Sequence, residues 1–528
     1  MSDPTQSLRT ALLPRRRLLA GAALAAPALL TAGRALAATD PFALGVAAGE
    51  PLADGFVIWT RIAPDPLAED GLGGNHDIVP VAWEVAFDPA FRRIAARGTA
   101  AASPERASAV HVEVGGLAPD RPYWYRFTAL GVQSPVGRAW TAPAPGADIA
   151  RLRMTAASCS HWEMGWFSAY RHMAADEESR LTLFLGDYIY EDSASPERRK
   201  QAVRAYGMGE AMTLADYRRR YALHRTDPDL RALHAANACV ATWDDHEVQN
   251  DYSGIWPQDA EVKPAAFLKR RAAAYRAFCE NMPLRLPQVM RADGSFRLNR
   301  RFDWGRLARF DVLDGRQFRS PPACVDGLAS HRGHMAPVGC PDLDDPSRTF
   351  LGFAQERWLY DGWAASRARW NLVVQNLLVA PLRVDAPDGA MLWTDTWNGF
   401  GAARRRMLDA MVATRLANPV TLAGDYHSFW LNDLRPDFDR PNTPAVAAEV
   451  VVTSITSNGP PAEGIQAALS GNPHIRYFDA AHRGYVAIDL TRDRMAAHCM
   501  AISDRTNPRA DVAVLQTREV EAGRPGFA

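Results

Sequence analysis

Acids, thiols, phenols and imidazoles recur in this chain directly after short apolar runs. Asp187 and Tyr190 follow Leu181-Thr-Leu-Phe-Leu185 and Gly186. Cys159 follows Arg153–Ser158, and Asp425 with His427 follows Pro419–Ala423 and Gly424. The run Ala238–Trp243 delivers Asp244, Asp245, His246 and Glu247, then Asn250 and Asp251. The run Glu449–Ser454 leads to Ser457-Asn458-Gly459, whereas Asn371–Ala380 ends in no acid. Each stretch alone has a plain structural account. Gly-Asp-x-x-Tyr is an Asp-initiated turn under an aromatic ring, Asp244 to Glu247 are acids at a helix start, and Cys159 is a small buried hydrophobe. Several strand ends loaded in this way argue for more, because gathered like charges cost several kcal/mol, roughly, without a compensating cation. Carboxylate, amide and phenol oxygens suit hard cations such as ferric iron, calcium or manganese. The reading that weighs most is a multi-metal site.

Positioning such groups calls for buried strands ending at one edge of a sheet, where open α/β folds bind ligands. From residue 150 apolar strands alternate with long helical segments, which makes an α/β catalytic domain over 150–505. Before it, residues 41–145 read as short strands only: Phe56–Arg61, Val81–Phe87, Ala109–Val114, and Tyr123-Trp-Tyr125-Arg126 after a Gly-Pro turn. The last resembles the tyrosine-bearing strand of fibronectin-type sandwiches, in which a tyrosine hydroxyl ties a strand to the preceding corner. Residues 506–528 read as a tail or a lid. Residues 1–37 read as a cleaved export signal: Arg15-Arg16-Arg17, an apolar run from Leu18 to Leu30 broken by Pro27, and Ala35-Leu36-Ala37. The arginines resemble a twin-arginine signal, with Pro14 where Ser or Thr is usual and Leu18 where Phe is usual. The run is too short and too weak for a stable membrane span.

Of 528 residues, 60 are basic and 60 acidic, so composition supplies no argument for nucleic-acid or membrane binding. Among six cysteines, Cys324 and Cys340 bracket a loop rich in Gly, Pro, His and Asp and are expected to be bridged, worth about 3 kcal/mol in the chain-entropy model. Cys239 and Cys279 are expected as buried free thiols.

The motifs S-C-S, G-D-Y-I-Y-E, W-D-D-H-E-V-x-N-D and G-D-Y-H-S, in this order, resemble those of PhoD-type alkaline phosphatases, a family related in its motifs to the purple acid phosphatases. The resemblance covers nearly the whole chain. It implies a four-layer αββα metallophosphoesterase sandwich behind a small all-β, fibronectin/immunoglobulin-like domain. It implies one centre of Fe(3+) and Ca(2+) that hydrolyses phosphomonoesters and phosphodiesters by attack of a metal-activated oxygen. Carried over, Asp187 bridges the metals, and Cys159, Tyr190 and Asp425 bind iron. Asn250 and an acid of the Asp244–Asp245 pair, taken as Asp244, hold calcium. His427 is a ligand or touches the phosphate, and His246 is the proton donor. The expected partners are a phosphate-ester substrate and the twin-arginine (Tat) export machinery, with a periplasmic or secreted product. Two other readings are a phospholipase D-like phosphodiesterase acting on lipid head groups and a non-enzymatic, calcium-binding adhesion module. Calcium alone has no use for the Cys159 thiolate, which discriminates against the latter.

Overall fold

Two mixed sheets carry the chain. In the first, nine strands lie in the order Val512–Glu521, Arg494–Ile502, Arg483–Thr491, Arg151–Ala157, Leu181–Leu185, Ala238–Thr242, Val46–Leu52, Gly55–Arg61 and Ala109–Val114. Its centre is parallel, from Arg151–Ala157 across to Val46–Leu52. In the second, seven strands lie in the order Arg300–Trp304, Ala308–Val312, Trp370–Val374, Pro419–Ala423, Ala447–Val451, Phe429–Leu434 and Ile475–Asp479, again parallel at the centre. This computed structural model describes residues 40–291, 295–325, 330–387, 389–440 and 442–528. The export signal read at 1–37 lies outside them.

The central strands are apolar on both faces, as parallel strands covered on both sides must be. Leu181, Leu183 and Leu185 join Leu372, Val374, Val420 and Leu422 in one buried cluster that unites the facing sides of the two sheets. Phe184 and Ala241 point the other way, among Tyr170, Met173, Leu230, Leu233 and Phe278 of the helices Ser168–Ala175, Pro228–Ala236 and Pro264–Asn281. On the second sheet Val373, Ala423 and Val451 meet Leu359, Trp363, Met407 and Leu408 of the helices Phe353–Ala364 and Gly401–Ala413. Helix starts follow the usual chemistry. Thr213 and Asp216 form a reciprocal capping box before Leu214–Arg225, and Pro264 occupies the first turn of the longest helix among the described residues.

Three expectations change. Residues 41–145 enclose an apolar core of their own, with Val46, Phe56, Ile58 and Val110 against Val81, Val85, Tyr123 and Tyr125, but their strands are not separate from the larger sheets. Val46–Leu52 pairs in parallel with Ala238–Thr242, so three of this region's strands extend the nine-stranded sheet, and the others form a five-stranded sheet packed against them. Residues 41–528 accordingly form one compact unit. Within the smaller sheet, Tyr123 Oη accepts a hydrogen bond from Ala118 N at 2.9 Å, tying its strand to the corner before it. The run 371–380 leaves the sheet after Val374, because Gln375 and Asn376 turn their amides onto backbone: Gln375 Oε1 accepts from Leu377 N at 3.0 Å, and Asn376 Nδ2 donates to Trp243 O at 2.5 Å. Lastly, the segment 506–528 is neither tail nor lid. Val512–Glu521 is the edge strand beside Arg494–Ile502, and Phe527 is buried behind it. Cys324 and Cys340 are joined, with an S–S distance of 2.01 Å, while Cys159, Cys239, Cys279 and Cys499 are buried free thiols.

Candidate metal centre

The parallel strands of both sheets end at one place. Cys159 comes just beyond Arg151–Ala157, Asp187 beyond Leu181–Leu185, Asp244 beyond Ala238–Thr242 and Asp425 beyond Pro419–Ala423. Cys159, Asp187, Asp425 and His427 all have φ between 51° and 62°, the left-handed region that side chains disfavour. Such strain persists only where surroundings over-determine it, and it gathers at functional sites. Gly186, at φ 101°, is required twice over: a Cβ there would lie 2.5 Å from Asp244 Cβ.

Ligand-capable atoms of Cys159, Asp187 and His427 lie within 4.8 Å of one another; so do those of Asp187, Asp245 and His246, and those of Asp244, Asp245 and Asp425. The triplets share Asp187 and Asp245, so they form one continuous cluster. Tyr190 Oη donates to Asp187 Oδ2 at 3.0 Å, lies 2.9 Å from His427 Nε2, and accepts from Ser457 Oγ at 2.7 Å. His427 Nδ1 is 2.8 Å from Asn458 O, a contact that fixes the proton on Nδ1 and leaves the Nε2 lone pair facing the cluster. Burial lowers this imidazole to about 3, against the pull of the Asn458 carbonyl. His246 is opposite in character. Burial opposes its charge, but Glu191, with an oxygen 2.6 Å from Nδ1, and the nearby Asp187 and Asp245 hold the imidazolium well above the usual range. Asn250 gives its backbone N–H to the other Glu191 oxygen at 2.7 Å, and its side chain lines the same cavity as Tyr190, His246 and His427.

The cluster is short of positive charge. Burial, reinforced by Asp244 and Asp245, pushes Asp425 well above the carboxylate range, and burial pushes Asp244 up to about 7 although Arg316 opposes it. Asp187 Oδ1, Asp244 Oδ2 and Asp245 Oδ1 are buried without a hydrogen-bond partner. Buried acceptors in that state ask for a cation. The donor set fits a pair of hard cations, with a thiolate and a phenolate available at one end.

Several members carried no signal in the sequence. Arg316, fully buried, donates through Nε to Asp244 Oδ1 at 2.5 Å and through both terminal nitrogens to Asp395 at 3.0 and 2.9 Å. Arg319 also grips Asp395. Both residues lie in irregular segments with no motif around them. Glu247 sits within a quoted motif, yet its role shows only in space. Its Oε2 accepts from Asp187 N at 3.1 Å and Asp244 N at 2.7 Å, and its Oε1 accepts from Tyr188 N at 2.6 Å. One carboxylate thus sews two ligand loops together. Ser457 holds Tyr190, and Glu191 holds His246; both belong to stretches singled out above without an assigned task.

Comparison with known proteins follows the same line. Residues 154–499 match the family description "PhoD-like phosphatase", and residues 26–143 match "PhoD-like phosphatase, N-terminal domain". The chain is 41% identical over 477 residues to alkaline phosphatase D of Bacillus subtilis (strain 168), covering 90% of this chain and 79% of that protein. It superposes on a solved structure of PhoD with a TM-score of 0.86 at 39% identity, covering 92% of each chain.

Proposed function

We infer, since this chain belongs to the PhoD-like phosphatase family, that it is an exported, metal-dependent hydrolase of phosphate monoesters and diesters. Membership makes it a phosphatase. The metal dependence rests on one observation above the others: three buried carboxylate oxygens without a hydrogen-bond partner, on Asp187, Asp244 and Asp245 (the last 3.5 Å from Arg316), beside a thiol and a phenol. In this reading Asp187 would serve both cations. Cys159, Tyr190 and Asp425 would hold ferric iron, Asp244 and Asn250 would hold calcium, and His427 would offer Nε2 to a cation or to the phosphate. Bound there, the cations would neutralise the ester's charge and lower the pKa of a water near the phosphorus.

The remaining chemistry belongs to side chains. His246, kept charged by Glu191, is the proton donor to the leaving oxygen. Glu247, Ser457 and Arg316 hold the ligands in place before substrate arrives. The mouth is a cavity of about 540 Å³, with Arg198 and Arg332 as its lining arginines, Asp192, Glu210 and Asp259 among its acids, and Gln249, Gln258 and Asn458 among its neutral polar residues. A rim of this polarity suits a water-soluble phosphate ester better than a lipid, so the phospholipase D-like reading is the weaker. A helix–sheet–sheet–helix layering, and kinship of the smaller sheet with fibronectin-type domains, belong to the same proposal; the apolar clusters on both faces of each sheet and the Tyr123 corner support them. Export rests on the sequence of residues 1–37; among the described residues no helix is long and apolar enough to cross a membrane.

The test is elemental analysis of protein purified without chelator, read beside its visible spectrum and its turnover of a mono- and a diester. Iron with calcium and a charge-transfer band is the expected result. Asp187→Asn should lose metal and activity together while its far-ultraviolet circular dichroism stays unchanged; near-normal turnover in that variant would sink the bridging role.

A further inference from the structure

On the far side of the second sheet, the 3-10 turn Trp397–Phe400 runs into the helix Gly401–Ala413 beside a cavity of about 310 Å³. None of its lining residues belongs to the strand-end cluster. Three arginines face it: Arg383, Arg404 and Arg405. Two of them are answered at the rim by well-exposed acids, Arg383 by Asp439 at 2.5 Å and Arg405 by Asp344 at 3.0 Å. Arg404, which lies deeper, is not. Its Nη1 donates to Asn398 Oδ1 at 3.0 Å and, weakly, to the carbonyls of Val379 and Trp397 at 3.4 and 3.5 Å. Among the described residues no carboxylate pairs with it. Burial, together with the charges of Arg383 and Arg405, lowers this guanidinium to about 10, although Asp344 and Glu449 oppose the shift from a distance.

A second observation is independent of charge. Asn398 is 1% exposed and lines the cavity, and while its Oδ1 accepts from Arg404, its Nδ2 is buried without a partner. Arg383 Nε is a buried donor in the same condition. Unmet donors and a cation without a directly paired carboxylate have one common remedy, which is an acceptor-rich anion. Guanidinium forks match the oxygens of a tetrahedral oxyanion, and the face of Phe438, 5.6 Å from the Arg404 guanidinium carbon, holds that side chain from below.

We propose that this cavity is a binding site for a small phosphate-type anion, coordinated by Arg404, Asn398 Nδ2 and Arg383. In a phosphatase the anion at hand is the product of its own reaction. The three aspartates at the mouth, Asp344, Asp437 and Asp439, line the same cavity and set an upper bound on how much charge the site accepts. The ligand that fits is therefore compact, a free phosphate or a phosphate group on a short substituent.

Equilibrium dialysis of the metal-loaded full chain against radiolabelled inorganic phosphate tests this. Two phosphates per chain are expected, one at the strand-end cluster and one here. Asn398→Asp, which sets a carboxylate against the anion without changing volume, and Arg404→Gln should each lose one equivalent while ester turnover is retained. Should the metal-site reading fail instead, wild type would bind one phosphate, still lost in both variants, so the two failures are distinguishable. Competition by phenylphosphonate as strong as by phosphate assigns the site to phosphate groups carried on a substituent, and weaker competition assigns it to the free anion. Unchanged phosphate stoichiometry in both variants, each folded by circular dichroism, overturns the proposal.

Discussion

Replacing Glu247 by glutamine changes almost no volume and removes one acceptor. Wild type sets one carboxylate against three buried backbone N–H groups, from Asp187, Tyr188 and Asp244, at 2.6 to 3.1 Å. A glutamine keeps one oxygen. Placed at Oε2 it retains the Asp187 and Asp244 bonds and aims its NH₂ at the Tyr188 N–H; placed at Oε1 it loses two. The first orientation is therefore preferred. It forfeits one charge-assisted bond, worth about 1.5–3 kcal/mol, and weakens two others by roughly half. The neutral amide is less costly to bury, which offsets part of this, so a net loss of about 2–4 kcal/mol follows. The loss falls on the two loops that carry Asp187 and Asp244. Loosening residues that orient ligands typically weakens metal binding by about 10–100-fold. Calcium titration of the apo-protein, with guanidinium melts of the apo and loaded forms, reads both quantities. A merely structural Glu247 would lower stability equally with and without metal and leave metal affinity alone. Metal affinity and stability both at wild-type values would refute the argument outright.

Removing the Arg316 guanidinium by Arg316→Met leaves Asp244 a buried charge without its partner and Asp395 with Arg319 alone, and should cost the apo-protein about 3–5 kcal/mol; saturating calcium should restore part of that, and a loss identical in apo and loaded protein would count against it. At the opposite edge of the first sheet, burial works to raise Asp489, but hydrogen bonds from His498 and Arg151 and the charges of Arg153 and Arg151 hold it well below the usual carboxylate range. A carboxyl depressed in the folded state contributes stability that is present above its unfolded pKa of about 4 and is lost as pH falls toward its folded value. Melting temperatures measured from pH 5 down to pH 2 should thus fall less steeply in Asp489→Asn than in wild type, and parallel curves would remove Asp489 from the acid response.

What could be read in the chain was local. Leu181 to Tyr190 announces itself because an apolar run, an obligatory glycine, an acid and a phenol are contiguous, and the structure brings that acid and phenol within 3.0 Å. The same holds for the runs that deliver Cys159, Asp244 and Asp425. Arg316 and Asp395 are single residues 79 positions apart, without periodicity or a turn signature around them. No local pattern says that they meet. The pairing of Val46–Leu52 with Ala238–Thr242 was hidden for a similar reason. Its register sets Ala48 against Ala238 and Gly49 against Cys239, small residues that any buried strand accepts, so nothing in either strand names its partner. Val512–Glu521 was obscured differently. As an edge strand most of its side chains are half-buried or exposed, which blurs the alternation, and the Gly and Pro beyond it read as a mobile end.

The proposed ligands come from two sheets, and that arrangement explains why their loops need so much side-chain support. Cys159, Asp187 and Asp244 belong to the first sheet, Asp425 and His427 to the second, and among the described residues a single isolated β-bridge, Ser158 with Ser454, sets one edge against the other. Below the site the shared apolar cluster does this, but it is non-directional and cannot fix an oxygen to a fraction of an ångström. Polar bridges supply what is missing. Asn376, leaving the second sheet, donates to Trp243 O of the first. Ser457, beyond a strand of the second, donates to Tyr190 of the first. Arg316 joins Asp244 to Asp395 across the same gap. Left-handed backbone at Cys159, Asp187, Asp425 and His427, at about 1–3 kcal/mol each, is sustained by these bridges together with Glu247. The geometry of the proposed ligands is therefore largely assembled by the polypeptide, so cations bound there would stabilise an arrangement that already exists and need not create it.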